Sequence, residues 1–296
     1  AMLAPLRCDP PDIAEFVDAK REPGRLTRFN VSVQVTDTFM AAVEAGDDWP
    51  LVFPADGVAG QTGEGGTVAR HWPGRDGPVA CRVVRTIPAR ELWDRILRAA
   101  YDTAEPGVLF VDHVNAANNL WYREHITATN PCGEEPLPPF GSCDLGSINL
   151  AAFVRAPFTE DAHLDLDAIA ERVPTAVRML DNVIDASRFP LATQADTERG
   201  NRRIGLGITG LADALILLGL RYDSEAGRAQ AQAAMRTIAL AAYRASIDLA
   251  RAKGPFPDLD RERYLAGTFI RGLPEAIRTG IATHGIRNSH VTAIAP

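Results

Sequence analysis

Four cysteines in 296 residues, with no C-x-x-C pair, are too few to staple a disulfide scaffold. In a reducing compartment, a cysteine pair in such a chain points to catalysis, redox exchange or metal binding. No apolar run approaches the roughly 20 residues that cross a bilayer. The stretch Leu211 to Leu220 is short and carries Asp213, so no membrane partner is expected. Residues Ala1 to Pro11 hold Arg7 and Asp9 where a secretory leader needs an apolar segment, which makes the cytoplasm the expected location. An excess of positive charge is also missing. With 31 Lys and Arg against 38 Asp and Glu, the net charge is -7, which argues against a nucleic-acid partner. The sequence contains no H-E-x-x-H, no G-x-x-x-x-G-K-[ST] and no G-x-S-x-G, so zinc-protease, P-loop and nucleophile-elbow chemistry lack their usual signatures.

What is present is a chain that is 46% hydrophobic and 23% charged, enough apolar material for a real core. Phe29 to Thr36 alternates Val31, Val33 and Val35 with Ser32 and Gln34, a period-two strand with the valines inward and the polar pair outward. Ala14 to Arg21, Thr36 to Ala45, Ala89 to Ala104, Leu166 to Ser187 and Ala226 to Lys253 read as helices, the last rich in alanine. Val108 to Asp112, Ser147 to Val154, Arg203 to Gly207 (leading into a helix through Leu218) and Val291 to Ala295 read as strands. A Gly-rich insertion at about 55–78 reads as a surface loop or hairpin, and Asn115 to Tyr122 as a polar, aromatic stretch. Thr127 to Gly146, broken by Pro131, Pro136, Pro138 and Pro139, reads as loop. Strands alternating with long helices give an α/β class with mostly parallel strands.

Three sets of residues compete for chemistry. Gly205-Leu-Gly207-Ile-Thr-Gly210 fits the dinucleotide fingerprint, with Asp223 and Glu225 at a suitable offset. The preceding run from Thr197 to Arg203 is charged where a Rossmann fold needs a buried strand, so close packing of a strand end against a helix start accounts better for the glycines. The six histidines (71, 113, 125, 163, 284 and 290) show no metal-ligand spacing. The third set lies in the proline-rich loop: Asn130-Pro-Cys132-Gly-Glu134, followed by Cys143 eleven positions after Cys132. In an extended stretch, Asn130, Cys132 and Glu134 at i, i+2 and i+4 share one side and can converge on one ligand. Gly133 would allow that ligand to approach. An inert buried thiol beside a solvated acid competes for any single N-x-C-x-E, but a second cysteine nearby supplies the electron source a redox reaction needs.

Asn130 to Glu134 (NPCGE) and Cys143 to Leu150 (CDLGSINL) resemble the active-site loop and following strand of the ribonucleotide reductase catalytic subunit, in its adenosylcobalamin-dependent, class II branch. Further blocks are similar in the same order. They are Arg7 to Ile13 (RCDPPDI), Phe29 to Val33 (FNVSV) with Thr36 and Asp37, Ala89 to Trp93 (ARELW), Glu105 to Phe110 (EPGVLF), Arg203 to Gly207 (RIGLG) with Gly210 to Asp213 (GLAD), and Arg287 to Ser289 (RNS) with Ile294 to Pro296 (IAP). The resemblance covers nearly the whole chain and takes in the G-x-G-x-x-G match. It implies that residues 1–296 are part of the family's ten-stranded α/β barrel of two five-stranded halves, with a central finger loop at about 127–141.

The same resemblance implies roles. Cys132 would be the thiyl radical site, Glu134 the general base at the ribose 3'-hydroxyl, and Asn130 the hydrogen-bonding partner of the ribose hydroxyls. Asn130, Pro131, Cys132, Gly133 and Glu134 together would contact substrate. Cys143 would be one of two reducing cysteines, its partner lying upstream of this chain, while Cys8 and Cys81 read as structural thiols. The implied activity is ribonucleotide reduction, with diphosphates as substrates. The cofactor would be adenosylcobalamin (vitamin B12), with a thioredoxin-type reductant, a nucleotide effector and a homodimer in the full-length protein. A class I large subunit served by a separate metallo-radical subunit is the nearest alternative. An inactive fragment needing a complementing chain and a Rossmann oxidoreductase follow. The abrupt Pro296 and the missing phosphate loop are read as marks of an internal segment, expected to be inactive alone.

Overall fold

A computed structural model of the protein describes residues 2–22, 24–57, 66–72, 75, 77–142 and 144–295. The chain divides into two compact units, Ala1–Ala116 with Ile126–Pro131, and Ala117–His125 with Cys132–Pro296. No helix of the described residues is long and apolar enough to cross a membrane.

In the first unit, β1 (Met2–Arg7), β2 (Phe29–Val35) and β6 (Gly107–Phe110) form a parallel sheet in the order β1-β2-β6, with Ala4 opposite Val31 and Val33 opposite Val108. Helices α1 (Ile13–Asp18), α2 (Asp37–Ala45) and α3 (Ala89–Thr103) lie between these strands in sequence, and α4 (Val111–Ala117) follows β6. Ile13, Val17, Val33, Val35, Phe39, Val43, Trp49, Leu92 and Ile96 make one buried cluster. Helix α2 starts where the sequence places it, because Thr36 Oγ1 accepts from the Phe39 amide at 3.2 Å. It stops at Gly46, whose φ of +74° suits glycine.

The valine face of β2 is buried as expected, but Ser32 and Gln34 are buried too, contrary to the outward placement predicted for them. A central strand of a parallel sheet is covered on both faces, so its polar residues must find partners inside.

The Gly-rich insertion is partly a hairpin. Strand β4 (Thr67–His71) pairs antiparallel with β5 (Pro78–Pro88), which also pairs with β3 (Asp48–Pro54). Residues 58–65, 73, 74 and 76 of the insertion lie outside the described residues. Asp9, wholly buried, ties this sheet inward. Arg7 donates to it at 2.9 and 2.8 Å, and Arg70 of β4 lies 3.4 Å away as an ion pair while its guanidinium sits 5.5 Å from the Trp49 ring centroid. Two-residue strand β7 (Ala128–Thr129) also belongs to this unit.

The second unit holds β8 (Pro136–Leu137), β9 (Leu145–Asn149), the small antiparallel pair β10 (Val154–Arg155) and β11 (His163–Leu164), and β12 (Gly205–Thr209). Strands β9 and β12 are parallel, Leu145 opposite Gly205 and Ile148 opposite Ile208. The predicted strand from Ser147 thus begins two residues earlier and gives way at Leu150 to a 3-10 turn. The predicted strand Val291 to Ala295 is not a regular strand. Its backbone still bonds beside β12: Leu206 N donates to Val291 O at 2.9 Å and Ala293 N to Leu206 O at 3.3 Å. Helices α5 (Leu166–Ala186), α6 (Ala192–Asn201), α7 (Leu211–Leu217), α8 (Glu225–Lys253), α9 (Arg261–Ala266), α10 (Thr268–Arg271) and α11 (Glu275–His284) complete the unit. Val173, Val177, Leu180 and Ile184 of α5 share a core with Ala234, Ile238, Ala241, Ala242 and Leu249 of α8. The mixed α/β class holds, and the sheets that lie within one unit have two or three described strands each.

Three glycines of the apparent dinucleotide fingerprint are explained by packing. A Cβ on Gly207 would lie 2.1 Å from Ala293 O, one on Gly205 would lie 2.5 Å from Leu145 Cδ2, and one on Gly210 would lie 2.4 Å from Asn149 Oδ1. At Gly207 the obstacle is backbone, at Gly205 it is the packed Leu145 and Ala293 side chains, and Gly210 adds a φ of +67°, a region that disfavours side chains. The two acids at the fingerprint's offset are exposed and paired locally, Asp223 with Arg221 and Glu225 with Arg228.

Candidate active site

The cysteine-bearing segment is anchored on its first side by polar residues of the first unit. Asn115 uses its whole amide on residue 126 and its own helix: Nδ2 donates to Val111 O and Ile126 O, each at 3.0 Å, and Oδ1 accepts from the Ile126 amide at 2.8 Å. The polar face of β2 supplies the next anchors, Gln34 Nε2 donating to Thr127 O and Asn30 Nδ2 donating to Pro131 O at 2.6 Å. Buried Gln34 is therefore satisfied by the loop. Asn130 carries its carbonyl toward Thr129 Oγ1, which donates at 2.9 Å.

Residues 131–135 run through turns and bends, not the extended chain assumed from the sequence. Gly133 has a φ of +90°, a region that disfavours side chains, so the i, i+2, i+4 alternation does not govern this segment. Asn130 and Pro131 fall in the first unit, Cys132, Gly133 and Glu134 in the second. Cys132 is a free, exposed thiol. Glu134 is half-buried, and its Oε2 is buried with no hydrogen-bond partner among the described residues. A carboxylate oxygen held away from water without a donor is suited to accept a proton, or a hydrogen bond from a hydroxyl, of something that enters the site.

Beyond Glu134 the chain is fixed from the second unit. Arg203 Nη1 donates to Pro136 O at 2.6 Å, and Nη2 donates to Glu124. Glu198, almost wholly buried on α6, accepts from the Ser142 amide at 2.6 Å. Cys143 itself lies outside the described residues. The Asp144 carbonyl accepts from the Gly205 amide at 2.9 Å, which starts the β9–β12 ladder. Burial, reinforced by the charges of Glu198 and Asp181, pushes the Asp144 carboxyl up to about 6. Glu198 is also pushed up, chiefly by burial and against the Ser142 hydrogen bond.

The other thiols are inert by position. Cys8 and Cys81 are buried, and burial with the nearby Asp9 charge pushes both thiols up, Cys8 to about 12. Among the described residues no group of three His, Cys, Asp or Glu could hold a metal ion. Sequence reasoning missed the anchors Asn30, Gln34, Asn115, Glu124, Glu198 and Arg203. For Arg203 and Glu198 a signal existed. A charged run placed directly against a strand is a solvated end or a buried brace, and here Glu198, Arg202 and Arg203 are all buried.

Comparison with known proteins identifies the protein class. Residues 1–296 fit the family model described as ribonucleotide reductase, barrel domain, and the chain belongs to that family. Among its relatives is the vitamin B12-dependent ribonucleoside-diphosphate reductase of Mycobacterium tuberculosis, 40% identical over 297 residues that take in 100% of this chain and 36% of the relative. The protein of the same name from Thermoplasma acidophilum is 37% identical over 248 residues, 83% of this chain and 29% of the relative. A ribonucleoside-diphosphate reductase subunit alpha of Synechocystis is 31% identical over 315 residues, 96% of this chain and 39% of the relative. The chain thus covers 29% to 39% of the length of these relatives.

Proposed function

We propose that the protein to which this chain belongs reduces ribonucleoside diphosphates to 2'-deoxyribonucleotides through a thiyl radical on Cys132, with adenosylcobalamin as the radical source. The observation that carries the reading is the pairing of an exposed Cys132 thiol with Glu134, whose Oε2 is buried and unpartnered among the described residues, across a glycine-tightened turn. The names of the Mycobacterium and Thermoplasma relatives support the diphosphate substrate and the cofactor.

The residues present fit such a cofactor at the point where it matters, because the sulfur is accessible on a loop tip and not sealed in the core. Bound adenosylcobalamin supplies the one-electron oxidation that removes the thiol hydrogen atom. The roles at the reacting ribose are assigned to this chain's own residues. The Cys132 sulfur takes the ribose 3'-hydrogen reversibly, since sulfur and carbon radicals lie close in energy. Glu134 takes the 3'-hydroxyl proton, easing departure of the 2'-hydroxyl as water. Asn130, Pro131 and Gly133 hold the sugar in register. Cys143 and an upstream cysteine deliver two electrons and two protons as they close a disulfide, one proton leaving with the 2'-hydroxyl as water, and a thioredoxin-type dithiol reopens the disulfide. The ten-stranded barrel closed around a finger loop at 127–141, the nucleotide effector, the homodimer and the cytoplasmic location belong to the same proposal.

The experiment is an anaerobic assay of the complete protein with a ribonucleoside diphosphate and a dithiol. The expected result is deoxynucleotide formation that requires adenosylcobalamin and no second subunit, and that Glu134→Gln lowers in kcat by about 10²- to 10⁴-fold. Turnover that needs a separate metallo-radical subunit would select the class I reading. The 296-residue chain assayed alone is expected to be inactive.

A further inference from the structure

Arg203 heads the fully buried side chains of the described residues, at 2% exposure, yet it carries a full charge. Its guanidinium spans two otherwise separate features of the second unit. Nη1 donates to Pro136 O at 2.6 Å, two residues after Glu134, while Nη2 donates to the carboxylate of Glu124, itself 10% exposed. The base of the side chain is fixed as well: the Arg203 amide donates to Asn201 Oδ1 at 3.0 Å, and the next residue, Ile204, donates to His290 O at 3.1 Å. Glu124 is held by its own amide, which donates to Leu120 O at 3.1 Å. A guanidinium is planar and presents a rigid fork, so it can satisfy a carbonyl and a carboxylate at once, which a single ammonium cannot do in the same geometry.

Nearby polarity is arranged to leave one cation here. His290 is half-buried, with Nε2 3.2 Å from Asn118 Oδ1 and Nδ1 3.1 Å from Ser289 Oγ. Burial, together with the Arg203 charge, holds it well below the ordinary histidine range, so it stays neutral. Glu124 therefore neutralises Arg203, and Nη1 remains free to grip the Pro136 carbonyl.

We propose that Arg203, charge-balanced by Glu124, is the positioning residue that fixes the segment Cys132 to Leu137 and so sets where Glu134 presents its carboxylate. Arg203 touches no reacting atom in this account and acts through Pro136. The inference rests on the proposed role of Glu134. A displacement of the segment by about 1 Å would cost on the order of 10²-fold in rate, since the base must stay within hydrogen-bond reach of the proton it takes.

The test uses the complete protein and two readouts. Hydrogen exchange at the amides of Gly133, Glu134, Glu135 and Leu137 is compared in wild type, Arg203→Lys and Glu124→Gln, with α5 and α8 amides as internal reference. Both variants are expected to speed loop exchange by at least about tenfold while the α5 and α8 amides keep their rates. In the reduction assay kcat falls by about 10- to 100-fold with the nucleotide KM within about twofold, and the double variant is no worse than the poorer single one. Unchanged loop exchange, or acceleration spread evenly through the second unit, would overturn the brace. Glu124→Gln nearly preserves side-chain size, so it carries the test if Arg203→Lys fails to fold. The exchange readout needs no turnover: a wild-type protein that reduces no ribonucleotide would sink the proposed function, while the loop exchange alone still decides the brace.

Discussion

The wholly buried carboxylate of Asp181 on α5 accepts from Arg202 Nε at 2.9 Å, joining the C-terminal part of a core helix to the residue that follows α6. Arg287 Nε and Asn288 Nδ2 reach the same Oδ1 at 3.2 Å, and Lys253 Nζ reaches Oδ2 at 3.2 Å. Asn288 is satisfied in turn by Ser246 Oγ, 2.8 Å from its Oδ1. Four elements of the second unit therefore depend on one carboxylate. Such a node is costly to break from one side, because Arg287, largely buried, loses its anion and Arg202 keeps Asp185 alone.

Asp181→Asn is expected to destabilise the protein by roughly 3–5 kcal/mol. Thermal unfolding of wild type and variant checks this, with Asp248→Asn, on an exposed α8 residue, as the control expected to shift little. Equal midpoints for Asp181→Asn and wild type would mean that the network contributes nothing.

The Asp144 carboxyl predicts a pH dependence of the opposite kind from a salt-bridged acid. Its folded-state value, pushed up to about 6 by burial first and by Glu198 and Asp181 next, lies above the ordinary 3.8, so the folded state binds the proton more tightly. Its contribution to stability is fully present below about pH 4 and is lost as pH rises through about 6. Asp144→Asn removes this loss. The variant should match wild type near pH 4 and exceed it by about 1–3 kcal/mol at pH 8. Unfolding measured at both pH values decides, and a pH-independent difference would count against the assignment.

Gly207 and Gly46 separate two reasons for glycine. Alanine at Gly207 places a Cβ 2.1 Å from Ala293 O, so backbone must move, whereas Gly46 has open space and only its φ of +74° to object. Gly46→Ala should cost about 1–2 kcal/mol, and Gly207→Ala more than about 3 kcal/mol, at or beyond the upper end of ordinary overpacking. Similar melting shifts for the two would show that the segment at residue 293 yields easily. NAD(H) is expected to leave the melting temperature unchanged, because the three glycines serve packing; a ligand that bound the folded state would raise it.

Much of the fold was legible because amphipathic periods and caps are local. Leu92 and Ile96, on the apolar side of the α3 period, are buried, although Leu97 beside them is exposed, and Thr36 caps α2 as its position before a helical run implies. The element starts at Gly205 and Glu225 fall within two residues of expectation. What failed was long-range. Ser32 and Gln34 look like a solvent face in sequence, but β2 is central and its polar face holds the loop. Strands β3 and β5 are interrupted by prolines and charges, and β1 holds Pro5, so none alternates cleanly. The candidate site was legible as residue types, Asn130, Cys132 and Glu134, yet not as geometry, because the turn at Gly133 replaces the extended chain. The anchors Arg203 and Glu124 lie 79 positions apart, a pairing that local pattern does not encode.

The most direct test of the central claim is Cys132→Ser in the complete protein, assayed with a ribonucleoside diphosphate, a dithiol and adenosylcobalamin. Serine keeps the size and a hydroxyl but not a sulfur able to exchange a hydrogen atom with carbon. Deoxynucleotide formation and the coupled formation of cob(II)alamin are both expected to be abolished while the folded state and nucleotide binding persist. Retained turnover in the serine variant would contradict the radical role of Cys132.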